Sequence, residues 1–367
     1  MKILTVIGAR PQFIKAAAIS RAITLHNQNS ENKIEEIILH TGQHFDTNMS
    51  DIFFDELDLP KPDFFLGISG LGHGAMTGRM IEEIEQKIIG IEPNFVLVYG
   101  DTNSTLAAAI AASKLEIPII HIESGLRSHN LSMPEEVNRI LTDRISSILI
   151  CPTKTAVENL KKEGFPHISI NKKSQSIHNF GDVMLDATLF YQNKAKEVYP
   201  VSKWDLEKNS YALCTIHRQE NVDNIARLKG ILLALNKIRE EIDIFLPLHP
   251  RTKKTLYENN LGYLLDNLTI SDPLSYLQMQ SLEMSANFIL TDSGGVQKEA
   301  FFHKVPCITL RDETEWIETV SSGWNTLAGA DKKNIISCYY DLQWPEKSFE
   351  PYGKGETAKE TIRLLTA

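Results

Sequence analysis

The segment HIESGLRSHNLSMPEEVNR, from His121 to Arg139, combines acidic, basic and imidazole side chains directly after an apolar run. Carboxylates in a partly dry site can exchange protons with a substrate, because their surroundings separate their pKa values into an acid and a base. Glu123 follows one predicted strand, and Asp101 in YGDTNST follows the strand before it. Neighbouring parallel strands end at one edge of a sheet, so we expect both carboxylates in the same crevice. The alternative for Asp101 is a helix cap.

The same segment predicts a helix that starts at Met133-Pro134, since proline suits the first helical turn. Glu135 and Glu136 lie in that turn, where the helix dipole favours negative charge. Glu135 and Arg139 are spaced i,i+4, and we expect them to pair along one face. An ordinary helix salt bridge is the alternative interpretation.

Two strand–helix junctions offer anion-binding chemistry. GARPQFIK places Arg10 beside a helix N-terminus, with Lys15 about one turn further on. TDSGGVQKEA predicts a helix that opens at Ser293-Gly294-Gly295, where glycines let backbone N–H groups contact a diphosphate. Glu299, one turn into that helix, can accept hydrogen bonds from ribose hydroxyls. An ordinary strand–helix turn is the alternative at each junction.

Two further strands of the second half run into IHRQEN and HPRT, which place His217, Arg218, His249 and Arg251 at strand ends. Taken with the junctions, these residues predict a nucleotide-diphosphate ligand and acid–base chemistry in a cleft between two domains.

Apolar runs alternate with helix-length segments, which predicts an α/β fold of two Rossmann-like doubly wound domains. The predicted strands are Ile3–Ile7, Glu36–His40, Phe95–Tyr99, Ile117–Ile122, Ser147–Cys151, Tyr211–Thr215, Ile244–Leu248, Leu268–Ile270, Phe288–Thr291 and Cys307–Leu310. The predicted helices include Phe13–Leu25, Ala75–Ile88, Thr105–Ser113 and Asn138–Ile148. The pattern loosens around Lys161–Gln175, where NKKSQS predicts a loop. We predict domains at 1–180 and 181–352, and a C-terminal helix at 353–367 that packs back on the first domain.

Bulk composition limits the partners and the cellular compartment. The 367 residues exceed one typical core. The net charge of -9 argues against a general binder of nucleic acid or membrane surfaces. The four cysteines form no CxxC pair, which predicts no metal site, no disulfide framework and a cytoplasmic protein. No apolar run reaches the roughly 18 residues that span a bilayer, and MKILTVIG is too short for a signal-peptide core.

Ten motifs follow one another along nearly the full chain, and together they resemble the non-hydrolysing UDP-N-acetylglucosamine 2-epimerase family. They are GARPQFIK, HTGQHFD, YGDTNSTL, HIESGLRS, PEEVNR, GDVMLDA, IHRQEN, LHPRT, TDSGGVQKEA and RDETEW. The resemblance implies two Rossmann-like domains facing a cleft, as in glycosyltransferases of the GT-B type. It also implies a homodimer that interconverts UDP-GlcNAc and UDP-ManNAc without a cofactor, by eliminating UDP to a 2-acetamidoglucal and adding it back.

The resemblance also implies roles for individual residues. The catalytic set is Asp101, Glu123, Glu135 and His217. The contacts to UDP or substrate are Arg10, Lys15, Arg139, Ser293, Gly294, Gly295 and Glu299.

Some motifs depart from the simplest members of the family. HTGQHFDTNM and GISGLGHG differ from the segments with which many bacterial members bind a second, activating UDP-GlcNAc. RDETEW, LHPRT and GARPQFIKAA are similar to the branch acting on UDP-2,3-diacetamido-2,3-dideoxy-glucuronic acid, which is the alternative substrate. Its carboxylate would need a cation, and Arg127 and Arg251 are the candidates.

Two other functions share this architecture. A glycosyltransferase would use the same SGG–helix–Glu arrangement with an acceptor, and a UDP-sugar sensor would bind without turnover. Asp101, Glu123, Glu135 and His217 argue against a sensor, because binding alone needs no acid–base groups.

Overall fold

The computed structural model describes residues 1–43, 54–167, 174–345 and 349–367. The chain divides into two compact units. The first comprises Met1–Leu189 with Glu350–Ala367, and the second comprises Phe190–Phe349. The division falls inside the helix Val183–Val198, and the domain ranges derived from the sequence stay a prediction.

Within the described residues, the first unit contains a sheet of seven parallel strands in the order β3-β2-β1-β4-β5-β6-β7. The strands are β1 Lys2–Ile7, β2 Glu35–His40, β3 Phe64–Phe65, β4 Phe95–Tyr99, β5 Ile119–Ile122, β6 Ile148–Cys151 and β7 Ser176–Asn179. Its helices are Arg10–Asn29, His73–Ile91, Asn103–Lys114, Pro134–Ile145, Lys154–Lys162 and Thr357–Thr366, together with the first part of Val183–Val198. The strand order reverses between β1 and β4, which is where ligands bind in doubly wound sheets.

The apolar strands of this sheet are buried because helices cover both of its faces. Val96 and Val98 of β4 pack in one cluster with Met80 and Ile84 of the helix His73–Ile91. The helix Asn103–Lys114 is rich in alanine, and its small side chains allow close packing in the same cluster. Burying each such valine or isoleucine contributes about 1.5–3 kcal/mol to the free energy of unfolding.

The second unit repeats the design. Among its described residues, six parallel strands follow the order β10-β9-β8-β11-β12-β13, which reverses between β8 and β11. The strands are β8 Tyr211–Thr215, β9 Asp243–Pro247, β10 Thr269–Ser271, β11 Phe288–Thr291, β12 Cys307–Thr309 and β13 Asn325–Leu327. The helices are Gln219–Val222, Ile225–Ile238, Pro250–Glu258, Tyr276–Ser285, Gly294–His303, Ile317–Ser321 and Lys332–Tyr340, with 3₁₀ turns at Val201–Trp204 and Gly262–Leu265.

The predicted α/β fold of two doubly wound domains is confirmed; the cleft between them stays a prediction. All ten predicted strands are present, with ends shifted by at most two residues. The helix predicted at Asn138–Ile148 begins earlier and ends at Ile145, since Ile148 opens β6. The predicted loop NKKSQS lies partly outside the described residues, and its last residue, Ser176, opens β7.

Asp186 fastens the C-terminal helix to the first unit. Its carboxylate accepts hydrogen bonds from the backbone N–H groups of Thr357 (3.2 Å) and Ala358 (2.8 Å) at the start of the helix Thr357–Thr366. That helix packs against the helix Arg10–Asn29. A carboxylate at a helix N-terminus satisfies donors that have no partner within the helix.

We predict that Asp186 titrates near pH 6. Burial raises its pKa from 3.8 to about 6, although the hydrogen bonds from Ala358 and Thr357 oppose the rise. The folded state therefore binds this proton more tightly than the unfolded chain. The contribution of the group to the free energy of unfolding is complete below about pH 4 and is lost as the pH rises through about 6.

Carboxyl ¹³C NMR of the folded protein should show this transition, and Asp186→Asn should remove it. A midpoint near the ordinary value of 3.8 would contradict the burial effect.

Candidate active site

Glu123 and Lys15 form a buried ion pair at the end of β5. Glu123 follows Ile122 directly, and Lys15 reaches it from the second turn of the helix Arg10–Asn29. The fold can bury these charges because each neutralises the other, since an unpaired ion would cost several kcal/mol. The structure therefore places Lys15 against a carboxylate at the switch point of the sheet.

The backbone around Glu123 is arranged so that its carboxylate fits. Gly100 follows β4 with φ +61°, and a Cβ at that position would lie 2.9 Å from Glu123 Oε2. Glu123 itself adopts φ +69°, a left-handed conformation that costs a non-glycine residue about 1–3 kcal/mol. Such strain persists where neighbouring contacts hold it, and it is concentrated at functional sites.

Asp101 lies at the end of the neighbouring strand and pairs with Arg139. The Arg139 Nε donates to Asp101 Oδ2 at 3.2 Å, and its Nη2 contacts the same oxygen. Asn138 Nδ2 donates to the Asp101 carbonyl at 2.9 Å. The helix cap considered for Asp101 is instead Thr102, whose side chain accepts from the Thr105 N–H.

The two glutamates of PEEVNR have different surroundings. Glu136 is buried and accepts from Arg139 Nη1 at 2.6 Å and from the N–H groups of Ser128 and His129, each at 2.9 Å. Burial tends to raise the pKa of Glu136, but these partners lower it overall. The pair on this helix is therefore i,i+3, Glu136 with Arg139, in place of the expected Glu135–Arg139 contact.

Glu135 is half-buried in the first turn of the helix Pro134–Ile145. Within the described part of the chain, its carboxylate has no hydrogen bond or ion pair. It can therefore engage a ligand without first giving up a protein contact, whereas the Glu136 carboxylate is committed to the loop that precedes the helix.

The helix Pro134–Ile145 exposes apolar side chains and buries polar ones, which is the reverse of an ordinary surface helix. Its exposed apolar residues are Val137 and Leu141. Its buried residues are Glu136, Asn138, Arg139, Thr142 and Asp143. Burying polar groups costs free energy unless each one is hydrogen-bonded, so this face must be organised around the strand ends that it contacts.

Gln12 was not a candidate from the sequence, but it connects two strand ends. Its Oε1 accepts from the N–H groups of Gly8 (2.8 Å) and Ala9 (3.1 Å), and its Nε2 donates to the Tyr99 carbonyl at 2.9 Å. It thereby fixes the turn that carries Arg10, the half-buried first residue of its helix. The available signal was a glutamine at the third helical position, which can reach back to the cap.

In the second unit, Asp292 anchors the loop after β8. Its carboxylate accepts from the N–H groups of His217 and Arg218, both at 3.0 Å, and from Asn221 Nδ2 at 3.1 Å. His217 Nδ1 lies 3.6 Å from Asp292 Oδ1, and the His217 side chain is 40% exposed. The loop that carries His217 is thus held by a buried carboxylate, and the imidazole remains accessible to a ligand.

The helix Gly294–His303 begins where the SGG motif predicts, with Ser293 as its cap residue. A Cβ at Gly294 would lie 2.8 Å from Glu315 Oε1 and 3.1 Å from Trp316 Nε1, so a larger residue there would displace side chains of the RDETEW segment. A Cβ at Gly295 would meet only Ser293 Oγ, at 3.8 Å. The Ser293 N–H donates to Thr291 Oγ1 at 2.9 Å, so the amides that this turn can offer to an anion are those of the first helical residues, from Gly294 onward. Glu299 is buried one turn further on.

The two arginines proposed for a substrate carboxylate have other partners. Arg127 is buried and pairs with Asp143 at 2.7 Å. It also donates two hydrogen bonds to the Glu163 carboxylate, from Nε (2.6 Å) and Nη2 (2.8 Å). Arg251 contacts both oxygens of Asp223, at 2.6 and 2.7 Å, on the protein surface. Of the HTGQHFD motif, residues 44–46 lie outside the described residues.

Within the described ranges, no group of three or more His, Cys, Asp or Glu side chains is arranged to hold a metal ion. The helices of the same ranges include none that is both long and apolar enough to cross a membrane.

The fold and these strand ends define a class: a doubly wound α/β protein with paired carboxylates and cations at one switch point and a glycine-opened helix N-terminus at the other. The model of the UDP-N-acetylglucosamine 2-epimerase family matches residues 26–366. The chain belongs to this family and is an isomerase of the 2-epimerase type.

Relatives are similar over nearly their whole length. The UDP-2,3-diacetamido-2,3-dideoxy-D-glucuronate 2-epimerase of Pseudomonas aeruginosa is 52% identical over 92% of this chain and 90% of its own. The crystal structure of Methanocaldococcus jannaschii UDP-GlcNAc 2-epimerase with UDP-GlcNAc and UDP is 42% identical, with a TM-score of 0.88 over 100% and 99% of the two chains. The Neisseria meningitidis enzyme bound to UDP-GlcNAc is 29% identical, with a TM-score of 0.86 over 100% of both chains.

We predict that Glu135→Gln lowers turnover, whereas Glu136→Gln lowers the stability of the fold. The first should leave Tm unchanged, because the Glu135 carboxylate has no hydrogen bond or ion pair among the described residues, and it should lower kcat by about 10²-fold, the effect expected for loss of a group that transfers a proton. The second should lower the free energy of unfolding by about 1–3 kcal/mol, because buried donors lose a charged acceptor. Thermal denaturation and turnover, measured on both variants, would test the assignment. A destabilised Glu135→Gln variant with normal turnover per folded molecule would contradict it.

Proposed function

We propose that this protein inverts C2 of a UDP-2-acetamido sugar by eliminating UDP and adding it back. The observation that supports this best is the pair of strand-end carboxylates, Asp101 and Glu123, each held by a cation in a family of 2-epimerases. Family membership favours this activity over the glycosyltransferase and sensor alternatives.

The chemistry requires groups that exchange one proton on two faces of the sugar. In the first step a carboxylate removes the C2 proton while the C1–O bond to UDP breaks, which leaves a C1–C2 double bond and free UDP. In the second step UDP adds to C1 and an acid delivers a proton to the opposite face of C2. We assign these transfers to Asp101, Glu123 and Glu135.

The departing diphosphate needs stabilisation that is in place before the bond breaks. We assign this to Arg10 in the first unit and to the helix N-terminus at Ser293–Gly295 in the second, with His217 beside that loop. Glu299 is proposed to contact the ribose. Lys15 and Arg139 support the two carboxylates that they contact, and their positive charges also suit an anionic substrate.

For the sugar itself, we propose UDP-2,3-diacetamido-2,3-dideoxy-glucuronate as the preferred substrate. The observation behind this choice is the 52% identity with the Pseudomonas aeruginosa enzyme of that name. UDP-GlcNAc is the second candidate, supported by the 42% identity with the Methanocaldococcus jannaschii UDP-GlcNAc 2-epimerase.

Incubation with each UDP-sugar alone, followed by ¹H NMR of the C1 and C2 protons, would test both steps of the proposal. Either sugar should yield its C2 epimer without an acceptor or a nicotinamide, and the glucuronate should react with the higher kcat/KM. A preference for UDP-GlcNAc would overturn the substrate choice. No epimer from either sugar would overturn the function.

We propose Arg218 as the cation that pairs with the glucuronate carboxylate. Its side chain is 28% exposed, and among the described residues its guanidinium has one acidic neighbour, Glu315 Oε1 at 4.0 Å. It borders the glycine turn, since its Nη2 lies 3.8 Å from a Cβ built on Gly294. Arg127 and Arg251, in contrast, are held by closer carboxylates.

We therefore predict that Arg218→Met lowers kcat/KM for the glucuronate by roughly 10- to 100-fold, the effect of one lost charged hydrogen bond. UDP-GlcNAc has no carboxylate, so its kcat/KM should change by less than about 3-fold. Arg251→Met is the matched control and should leave both values unchanged. Equal losses for both sugars in Arg218→Met would place this arginine on the UDP moiety instead.

We also propose that the protein is a cytoplasmic homodimer. All four cysteines are free, and three of them are buried, as in proteins kept in a reducing compartment. The dimer rests on the family resemblance, and a sedimentation mass of one chain would contradict it.

A further inference from the structure

His121 is a fully buried residue of β5 with an acceptor at each ring nitrogen. Its Nδ1 lies 2.8 Å from Asp143 Oδ1, and its Nε2 lies 2.8 Å from the Gly100 carbonyl oxygen. A neutral imidazole carries one N–H and can donate to one of these oxygens only. The other contact would then bring two lone pairs together in a dry environment, where a hydrogen bond left unmade is costly.

Asp143 cannot resolve this conflict by carrying the proton itself. Burial tends to raise its pKa, but the hydrogen bond and charge of His121, and those of Arg127, lower it overall. Its Oδ2 already accepts from Arg127 Nη1 at 2.7 Å and from the Gly125 N–H at 3.1 Å. Asp143 is thus an ionised acceptor for three donors.

We propose that His121 is a buried imidazolium that positions the acid–base residues by donating to both Asp143 and the Gly100 carbonyl. It does not touch the substrate, so it is a positioning residue and not a catalytic one. The proposal rests on the proposed function only for its effect on turnover.

The surrounding charges make a buried cation acceptable. Asp143 is shared between His121 and Arg127, and Arg127 is neutralised in turn by Glu163. The series therefore alternates in sign: Glu163 and Asp143 are negative, and Arg127 and His121 are positive. With two charges of each sign, the group carries no net charge and each ion is hydrogen-bonded, and Glu163 ends the series at the surface, where its side chain is 36% exposed.

The network holds the two backbone turns that flank Glu123. Through His121, Asp143 fixes the Gly100 carbonyl, and Gly100 is the residue whose Cβ position lies 2.9 Å from Glu123 Oε2. Directly, Asp143 fixes the Gly125 N–H on the other side of Glu123. Asp101 follows Gly100, so a shift of that peptide would move both carboxylates together.

The same helix carries two of these supports. Arg139 contacts the Asp101 carboxylate, and Asp143, one turn later, contacts His121. The helix Pro134–Ile145 therefore buries its polar face because that face contacts the ends of both β4 and β5.

Nitrogen NMR of the wild-type protein tests the charge state without any substrate. In a ¹H–¹⁵N correlation spectrum of the imidazole rings at neutral pH, both nitrogens of His121 should show the signal of a protonated nitrogen. The signals are assigned by their loss in His121→Gln. One protonated and one unprotonated nitrogen in the folded protein would overturn the proposal.

Turnover tests the positioning role. In Asp143→Asn the new amide can donate to His121 Nδ1, so the ring should become neutral while it keeps its bond to Gly100. We expect kcat to fall by about 10- to 100-fold with KM changed less, because misplacement of catalytic groups by fractions of an ångström acts on the chemical step. His121→Gln should retain more activity than His121→Ala, since its amide can still donate to the Gly100 carbonyl.

His26→Gln, near the end of the helix Arg10–Asn29, is the control and should leave kcat unchanged. An imidazolium signal with unchanged kcat in both Asp143→Asn and His121→Ala would overturn the positioning role. A neutral ring in an active wild-type enzyme would overturn the imidazolium while leaving the epimerase function standing.

Discussion

The buried ion pair between Lys15 and Glu123 is the contact on which the strand ends of the first unit depend. Acid–base chemistry needs a carboxylate away from bulk water, and the interior accepts that charge only beside an opposite one. A lysine on the helix after β1 must therefore reach the carboxylate. Position 100 is a glycine, which leaves room for the Glu123 carboxylate, and Glu123 itself adopts a left-handed backbone conformation. These requirements lie in three separate segments, and each is met by a different strand–loop–helix junction.

The two units use the same device at their switch points: a buried aspartate that fixes neighbouring loops. Asp143 accepts from a histidine, an arginine and a backbone N–H around Glu123. Asp292 accepts from two backbone N–H groups and an asparagine beside His217. In each case a carboxylate with several donors stiffens the loop that presents a candidate catalytic side chain. Preorganisation of this kind costs no further reorganisation when charge develops in the reaction.

Strand positions were predictable because buried parallel strands are continuous apolar runs. The three strands that sequence reasoning missed, β3, β7 and β13, are all at sheet edges. An edge strand pairs on one side only, so its sequence can be short, as in Phe64–Phe65, or polar, as in Ser176–Asn179.

The site was predictable as a set of strand-end residues, but the partner of each residue was not. From the i,i+4 spacing we expected Glu135 to pair with Arg139. The structure pairs Arg139 with Glu136, which is buried and accepts hydrogen bonds from the preceding loop. Asp101 and Thr102 are both residue types that commonly cap helices. In the structure Thr102 is the N-cap residue, and the Asp101 carboxylate pairs with Arg139. Gln12 and His121 act across strands, through contacts distant in sequence that no local pattern encodes.

We propose that the strand-end carboxylates exchange the C2 proton of a UDP-sugar with solvent. Epimerisation in D₂O, followed by NMR and mass spectrometry of the product, tests it most directly. We expect deuterium at C2 of the product, and in Asp101→Asn and Glu123→Gln a rate of incorporation lower by about 10²-fold or more. A product that retains its original C2 hydrogen would contradict proton exchange through these residues.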